Sequence, residues 1–209
     1  MIVYEDEQVI VCLKPAGVLS EEGGMPELLR AETGAREIYC VHRLDRETAG
    51  LMVYAKTGRA AAALSSAIAA QKLRKEYLAV VSGVPAPLGE LRDLLFRDKQ
   101  KNKSYVVKRM RRGVREAVLQ YERLETREGL SLLRVRLETG RSHQIRVQFA
   151  SRGFPLVGDT RYGSTCRELP LALFSCALAF PHPLTGETLH FRARPPECRP
   201  WTDFSALSE

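Results

Sequence analysis

The hydrophobic and polar positions of the chain change their spacing several times, and each change predicts an element. Apolar residues at 3–4 and 9–13 flank the polar turn EDEQ, which is the pattern of a β-hairpin. Pro15 ends the second strand, because proline cannot continue a central strand. Residues 51–55, LMVYA, predict a further strand.

Two helices are predicted between and after these strands. PELLRAETG predicts a short helix, since Pro26 stands near its first position and Gly34 just past its end. Thr57 is the expected cap of an alanine-rich helix that reaches about Leu73, because AAALSSAIAAQKL contains good helix formers and no breaker. The first third of the chain therefore mixes strands with helices.

After the second helix the sequence consists mainly of strand patterns. YLAVV, SYVVK, EAVLQYERL and LSLLRVRLE follow in turn, and LFSCALAF and TLHFRARP form a closing hairpin. GRSHQIRVQFASRG predicts a helix, with Ser142 as its cap and Gly153 as its stop. Strands that arrive in groups favour an α+β fold around a central mixed or mostly antiparallel sheet. We expect a single domain over residues 1–209, in two closely joined lobes with an active-site cleft in the middle.

Composition narrows the class of protein. The 209 residues are 44% hydrophobic and 27% charged, which is typical of a folded protein. No apolar run approaches the roughly 20 residues of a membrane helix. The N-terminus, MIVYEDEQ, carries acids where a signal peptide is positive. Five scattered cysteines without a CxxC pair indicate reduced thiols. These features predict a cytoplasmic protein.

Positive charge is concentrated in one segment. Residues 97–115, the basic segment, contain nine Lys or Arg against one acid, Asp98, so their net charge of +8 exceeds the +7 of the whole chain. Such a patch favours a polyanion as partner, although a solvated surface hairpin has the same composition. Tyr105 lies within the segment and suits either stacking on a base or packing in the core; of the two we expect the core.

Two further segments concentrate polar side chains. HRLDRETAG places Asp45 among arginines, which by itself favours a carboxylate held in a turn by Arg43 or Arg46. The second segment, GRSHQIRV, contains Arg141, His143, Gln144 and Arg146. Alone, it fits a surface helix that binds phosphate. Together the two segments supply one carboxylate and several arginine partners on separate elements.

HRLDRETAG also resembles the HRLDxxTSG motif of RluA-type RNA pseudouridine synthases. LKPAG, RKEYLAVVSG and GRSHQIRVQFASRGFPLVGDTRYG fit the same family in the same order, so the resemblance extends from Lys14 to about Phe191. His42 and the run that starts at His143 favour this branch over the related small-subunit branch. We expect no S4 RNA-binding module, because Asp45 comes so early in the sequence.

The resemblance implies an isomerase that converts specific uridines of rRNA or tRNA to pseudouridine without a metal or organic cofactor. It places the catalytic carboxylate at Asp45 and the tyrosine that stacks on the uracil at Tyr77. Arg146 corresponds to the arginine that pairs with the carboxylate, and Arg43 to one that enters the RNA stack when the uridine leaves it. Asp45 acts either as a nucleophile or as a base toward the sugar, and the sequence leaves both routes open.

Contacts with RNA are expected along these motifs and the basic segment. The predicted residues are His42, Arg43, Lys72, Lys75, Lys108, Arg109, Arg111, Arg112, Arg141, His143 and Gln144. A monomer is the default expectation, because the sequence contains no interface pattern. His182 and His190 lie across a turn without a cysteine pair, so no metal site is predicted.

Two other functions fit parts of this pattern. An RNA N-glycosylase needs a second carboxylate that serves water, and the family leaves the position of Glu47 variable. A non-catalytic RNA-binding or ribosome-assembly factor tolerates loss of Asp45 or Tyr77, yet both are present. The chain departs from the motifs at Ala49, where serine is usual, and at Gln148, where histidine often stands. Neither position is expected to carry out the chemistry.

Overall fold

A computed structural model describes residues 1–207, and its chain divides into two compact units. Unit 1 consists of Met1–Lys75 and Phe174–Arg194, and unit 2 of Glu76–Leu173 with the segment from Pro195 onward. Among the described residues, unit 1 contains two α-helices and unit 2 one, each beside paired strands. The predicted α+β class is confirmed.

The sheet of unit 1 is mixed. Its strands are β1 (Ile2–Glu5), β2 (Val9–Lys14), β3 (Tyr39–Cys40), β4 (Ala49–Ala55), β10 (Leu173–Pro181) and β11 (Thr188–Arg192). They pair in the order β1-β2-β4-β10-β11, and β3 also pairs with β4. All of these pairs are antiparallel except β4 with β10. Both hairpins predicted from the sequence are therefore confirmed.

Gly50 allows β4 and β10 to approach each other closely. Its φ of 123° lies in the region that favours glycine, and a Cβ there would lie 2.4 Å from the carbonyl oxygen of Ser175. Backbone packing therefore requires the glycine that ends the HRLDRETAG segment. Gly50 stands close after the loop that carries Asp45, so its close packing against β10 fixes the C-terminal end of this loop to the sheet.

The first helix, α1 (Met25–Thr33), begins and ends as predicted. Pro26 stands in its first turn, and Gly34 forms the C-cap with a φ of 72°. Glycine suits this position because it adopts the left-handed conformation without steric cost. Leu29 is fully buried on one face of the helix, which fixes α1 to unit 1.

The second helix, α2 (Gly58–Ala69), has the predicted cap but ends earlier than predicted. The Thr57 hydroxyl accepts a hydrogen bond from the backbone amide three residues on. The helix stops one turn before Leu73, because Gln71 adopts a φ of 56° and the next strand begins at Arg74. Good helix formers, AQKL, continue past the helix end, so propensity alone places this boundary too late.

The core of unit 1 lies between α2 and the sheet. It consists of buried residues of β2, β4, α2 and β10, namely Val9, Val11, Leu51, Val53, Ala55, Ala60, Leu64, Leu178 and Phe180. The positions between them on β2 and β4, including Ile10, Met52 and Tyr54, are also fully buried. Burial on both faces explains why these strands are continuous apolar runs.

The sheet of unit 2 is antiparallel. Its strands are β5 (Arg74–Ser82), β6 (Leu88–Asp98), β7 (Lys103–Val107), β8 (Val114–Arg127) and β9 (Leu130–Leu137). They pair in the order β5-β9-β8-β6-β7. The sequence pattern does not predict β6, because its leucines at 88, 91, 94 and 95 recur at the three- and four-residue intervals of a helix. Pairing with β7 and β8 makes it a strand.

The third helix, α3 (Gln144–Ala150), is confirmed, but its predicted cap is wrong. His143 occupies the N-cap position with a φ of 55°, and the Ser142 hydroxyl instead accepts a hydrogen bond from the guanidinium of Arg97. The turn after the helix contains Gly153, with a φ of 83°. α3 contributes to a small core made of Leu95, Ala117, Val147 and Tyr162.

Short 3-10 helices complete unit 2. They lie at Thr160–Tyr162, Trp201–Asp203 and Ser205–Leu207. All five cysteines are free thiols, as predicted. Within residues 1–207, none of the helices has both the length and the apolar character needed to cross a membrane.

Candidate active site

Asp45 lies in the loop between β3 and β4, and the backbone of this loop is held on both sides. The Ser20 hydroxyl accepts a hydrogen bond from the amide of Leu44 (3.0 Å) and donates one to its carbonyl (2.8 Å). On the other side, the carbonyl of Arg46 accepts a hydrogen bond from the amide of Gly17 (2.8 Å). The amide three residues after Asp45 donates to the Asp45 carbonyl (3.0 Å) and closes the turn. The half-buried carboxylate thus extends from a backbone that unit 1 itself fixes.

Lys14 adds a buried ammonium group to this anchor. Its side chain is 1% exposed, and Nζ donates to the carbonyls of Pro15 (2.8 Å), Val18 (2.8 Å) and Arg46 (3.0 Å). Burial lowers the pKa of Lys14 to about 8, and the carboxylates of the Asp45 loop partly oppose the shift. The LKPAG segment and the Asp45 loop are therefore joined through one buried cation.

Replacing Lys14 with methionine is expected to change how stability depends on pH. The folded pKa of about 8 lies below the 10.5 of an unperturbed lysine, so unfolding of the wild type takes up a proton between these values. Its free energy of unfolding should therefore rise with pH across this window, by up to about 3 kcal/mol relative to the variant. Urea unfolding followed by far-UV circular dichroism measures the difference.

Lys56→Met is the matched control for that experiment. Lys56 also lies in unit 1 and bonds to the Glu5 carboxylate and the Asp6 carbonyl, but its side chain is 21% exposed. The Lys56→Met variant keeps the buried Lys14, so the rise in its free energy of unfolding between pH 8 and 10.5 should remain. Parallel pH profiles for the wild type and Lys14→Met would contradict the predicted effect of burial.

His42 and Arg43 are neighbours in different environments. Arg43 is exposed and forms a surface ion pair with Glu21 at 3.4 Å. His42 is buried, and its Nε2 accepts a hydrogen bond from the amide of Val53 (3.1 Å). Burial lowers the pKa of His42 well below its usual range, and the charge of Lys75 is a smaller cause. His42 is thus a neutral packing residue in its observed contacts, and its contact with RNA stays a prediction.

In unit 2, a buried carboxylate holds Arg146. Nε and Nη2 of Arg146 donate to Oδ2 and Oδ1 of Asp159 at 2.7 and 2.8 Å. The two side chains are 6% and 1% exposed. The guanidinium also lies 5.2 Å from the centre of the Tyr162 ring. Two parallel hydrogen bonds and a ring face together fix the plane of the guanidinium.

The Tyr162 hydroxyl joins the loop that carries Asp159, residues 158–163 (GDTRYG), to the start of α3. It lies 2.8 Å from Nδ1 of His143 and accepts a hydrogen bond from the amide of Ser104 at 2.8 Å. The Ser104 hydroxyl donates to the carbonyl of Ser142 (2.7 Å). The GDTRYG loop, the HQIRV segment and β7 therefore form one buried network. His143 belongs to it and is 8% exposed, so its contact with RNA also stays a prediction.

Two glutamines of α3 bond to the backbone and side chains of their surroundings. Gln144 is 2% exposed, and its amide group contacts the carbonyl of Val118 (3.1 Å) and the amide of Arg141 (3.0 Å). Gln148 is fully buried, and its Nε2 donates to the Asp93 carboxylate (2.7 Å). Both side chains hold α3 against the sheet. The predicted RNA contact of Gln144 remains untested by this geometry.

Tyr77 lies on β5 and is 4% exposed. It stands opposite Val135 of β9 in an unbroken antiparallel register, so its backbone position is rigid. Tyr77 and Arg146 both belong to unit 2, whereas Asp45 belongs to unit 1. Each unit therefore supplies part of the predicted catalytic set on well-packed elements.

Comparison with known proteins decides the family. Residues 8–151 match the RNA pseudouridylate synthase family, and this range includes the Asp45 loop, β5 and α3. The chain belongs to this family. The resemblance carried by the HRLDRETAG and GRSHQIRV segments is thereby confirmed. The synthase is accordingly an isomerase that acts on RNA uridines.

Relatives of the synthase cover nearly its whole length. It is 36% identical to ribosomal large subunit pseudouridine synthase D of Vibrio cholerae, over 94% of this chain and 67% of the relative. It is 34% identical to an RNA pseudouridine synthase of Bacillus subtilis, over 94% of this chain and 69% of the relative. The structure of human RNA pseudouridylate synthase domain containing 1 matches with a TM-score of 0.81 at 22% identity, over 93% of this chain and 83% of that one. That likeness concerns the fold.

The basic segment of the synthase folds as the β6–β7 hairpin and the loop to β8. Most of its cations are exposed, namely Lys99, Lys101, Lys108, Arg109, Arg111, Arg112 and Arg115. Arg141 and Lys72 are exposed as well, and Lys75 is half-buried. The prediction that Tyr105 packs in the core is wrong, because its side chain is 37% exposed on β7.

The predicted site residues do not include Lys14, Ser20, Asp159 and Tyr162 of the synthase. Ser20 and Lys14 act on the Asp45 loop from more than 20 positions away, and Asp159 reaches Arg146 across 13. Weak signals were present, since Lys14 and Asp159 lie in the LKPAG and GDTRYG segments. A buried charged residue needs a partner of opposite charge or several hydrogen bonds. Lys14 and Asp159 therefore each require a tertiary contact, but the sequence does not show which residue provides it.

Proposed function

We propose that the synthase isomerises specific uridines of large-subunit ribosomal RNA, with Asp45 as the catalytic carboxylate. The observation that carries the proposal is the anchored Asp45 loop, whose main chain is held by Ser20, Gly17 and Lys14. A catalytic group must be held close to its productive geometry before substrate arrives, and a main-chain anchor meets that need. Relatives named ribosomal large subunit pseudouridine synthase D support rRNA ahead of tRNA.

The reaction keeps every substrate atom except one hydrogen. The N1–C1′ bond of uridine breaks, the uracil turns over, and C5 joins C1′. The hydrogen on C5 is then lost to solvent, and N1 ends protonated. Asp45 either attacks the sugar and forms a transient ester or removes a sugar proton to give a glycal; both routes use the carboxylate form.

The remaining roles follow the family resemblance. Arg146 is the proposed ion-pair partner of Asp45, and its bidentate bonds to Asp159 support the role because they fix its plane. Tyr77 is the proposed face on which the detached uracil stacks. Arg43 is the proposed wedge that fills the gap left by the flipped uridine, and its exposed side chain supports this role.

Exposed cations of the basic segment are the proposed phosphate contacts. Lys108, Arg109, Arg111 and Arg112 all lie in the loop between β7 and β8. Phosphate contacts release condensed counterions, so affinity for RNA should fall steeply with salt concentration. Arg141 and Lys72 are further exposed candidates.

Tritium release from RNA labelled at C5 of uridine tests the proposal directly. The wild-type chain is incubated with unmodified transcripts of large-subunit rRNA, small-subunit rRNA and a tRNA pool, each carrying the label. We expect release from the large-subunit transcript to reach a plateau at a whole number of uridines per molecule. The other two RNAs should release only background tritium.

Each other result would overturn a defined part of the proposal. Release from tRNA alone would keep the chemistry and refute the substrate class. Salt-sensitive binding to all three RNAs without release would favour a non-catalytic RNA-binding factor. Free uracil in the products would indicate N-glycosylase chemistry, because hydrolysis replaces the rejoining of C5 to C1′.

A further inference from the structure

The outer face of the β6–β7 hairpin carries an aromatic pair that the core does not use. Phe96 and Tyr105 are direct partners in the antiparallel register, so their Cβ atoms lie about 5 Å apart. Tyr105 is 37% exposed and Phe96 is half-buried. Leu95, next to Phe96, points to the opposite face and joins the core beside α3. The two rings therefore face away from that core.

Cations flank both rings. Cζ of Arg111 lies 5.0 Å from the centre of the Phe96 ring. Nζ of Lys103 lies 5.8 Å from the centre of the Tyr105 ring and 5.1 Å from that of Tyr162, so it stands between the outer face and the small core. All three distances are within the range of cation–π attraction. β7 stands at the end of the strand order of unit 2, so the pair lies at a sheet edge. We call Phe96, Lys103, Tyr105 and Arg111 the aromatic platform.

The chemistry of the aromatic platform matches a nucleotide better than a protein surface. A nucleotide offers a flat base for the rings and a phosphate for the cations, and single-stranded nucleic acid is bound through this combination. The basic segment has nine cations and one acid, so a polyanion complements it. An apolar protein partner would bury Arg111 and Lys103 without a counter-charge, which is costly.

We propose that the aromatic platform binds unpaired nucleotides of the RNA substrate, with a base stacked on Tyr105 and with Arg111 and Lys103 at the adjacent phosphates. The proposal rests on the proposed function only in taking RNA as the ligand. It adds that the substrate has a single-stranded stretch at this face, because bases within a duplex do not expose their ring faces.

Substitutions at Tyr105 test the platform. Tyr105→Ala should weaken binding of a short unpaired RNA oligonucleotide by roughly 5- to 150-fold, the range expected for losing one stacked base. Binding of the same sequence as a blunt duplex should not change. Tyr105→Phe keeps the ring and should bind both RNAs as the wild type does. Affinities are measured by fluorescence anisotropy with labelled RNA.

Salt dependence separates stacking from charge. Tyr105→Ala removes no charge, so the slope of log Kd against log salt should equal that of the wild type. Arg111→Gln should reduce the magnitude of that slope by about 1, which is the contribution of one phosphate contact. In a further readout, Tyr105→Trp should show fluorescence quenching with unpaired RNA and none with the duplex. The native Trp201 is 5% exposed, which keeps its signal a constant background.

The proposal fails if Tyr105→Ala binds unpaired RNA like the wild type, or if it loses duplex binding equally. An unchanged thermal melting curve for Tyr105→Ala establishes that folding is intact. Tritium release is scored separately. If the wild type releases tritium and Tyr105→Ala binds unpaired RNA as tightly as the wild type, the platform is refuted and the proposed function is kept. A ring-dependent loss of binding without release would keep the platform and refute the activity.

Discussion

Asp45→Asn should abolish tritium release from C5-labelled RNA, with a loss of about 10⁴-fold or more in the single-turnover rate. Asparagine has the shape of aspartate, but its neutral amide neither attacks the sugar nor accepts a proton from it. The loop should keep its conformation, because Ser20, Gly17 and Lys14 hold main-chain atoms of the residues on either side. Affinity for RNA should therefore remain close to that of the wild type.

Glu47→Gln is the matched control for this experiment. Glu47 is an exposed acid in the same turn, so the substitution removes a neighbouring charge and leaves the proposed catalytic group in place. Its rate should stay within about threefold of the wild type, in line with the small effect of a surface charge. Equal losses in Asp45→Asn and Glu47→Gln would mean that charge in the loop matters rather than the Asp45 carboxylate. A residual rate near wild type in Asp45→Asn would refute the assignment.

Asp159→Ala should destabilise unit 2 by about 3–5 kcal/mol. The substitution leaves the guanidinium of Arg146 buried without the carboxylate that now accepts two of its hydrogen bonds. Removing one partner of a buried, bidentate ion pair costs far more than losing a surface ion pair. Urea unfolding monitored by Trp201 fluorescence measures the effect, because Trp201 is the one tryptophan of the chain and lies in the same unit.

Glu122→Ala provides the contrast for Asp159→Ala. Glu122 pairs with Arg134 at 3.0 Å in the same unit, but the two side chains are 48% and 40% exposed. Its removal should cost no more than about 1 kcal/mol. The double variant Arg146→Met with Asp159→Leu should recover much of the lost stability, since it removes both buried charges. The buried pair would lose its predicted importance if Asp159→Ala and Glu122→Ala were equally stable.

Local signals predicted much of the fold. Thr57 caps α2 and Gly34 ends α1, because both features depend on residues a few positions apart. The strand β6 escaped prediction, since its apolar spacing is helical and only pairing with two neighbours makes it a strand. The N-cap of α3 was misplaced because Ser142 bonds to Arg97, which lies 45 positions earlier.

The candidate site shows the same division between local and distant contacts. The family resemblance predicts roles for Asp45 and Arg146, because both residues stand in short segments that match the family's motifs. The groups that hold them, Lys14 and Asp159, act through tertiary contacts that no sequence period encodes. Tyr105 was assigned to the core because a strand tyrosine usually packs inward. Its register opposite Phe96 places it outside instead.

The main-chain anchoring of the Asp45 loop has a consequence for how substrate preference can change. Ser20, Gly17 and Lys14 bond to backbone atoms of the loop, and the exposed Arg46 adds a hydrogen bond from its Nε to the Gly17 carbonyl (2.8 Å), so the shape of the loop depends little on its other exposed side chains. Arg43 and Glu47 are exposed, and in residues 1–207 neither side chain contributes a hydrogen bond that closes the turn. If these residues meet the RNA as proposed, evolution can exchange them while the Asp45 carboxylate keeps its position, and new substrates become accessible without rebuilding the proposed chemistry.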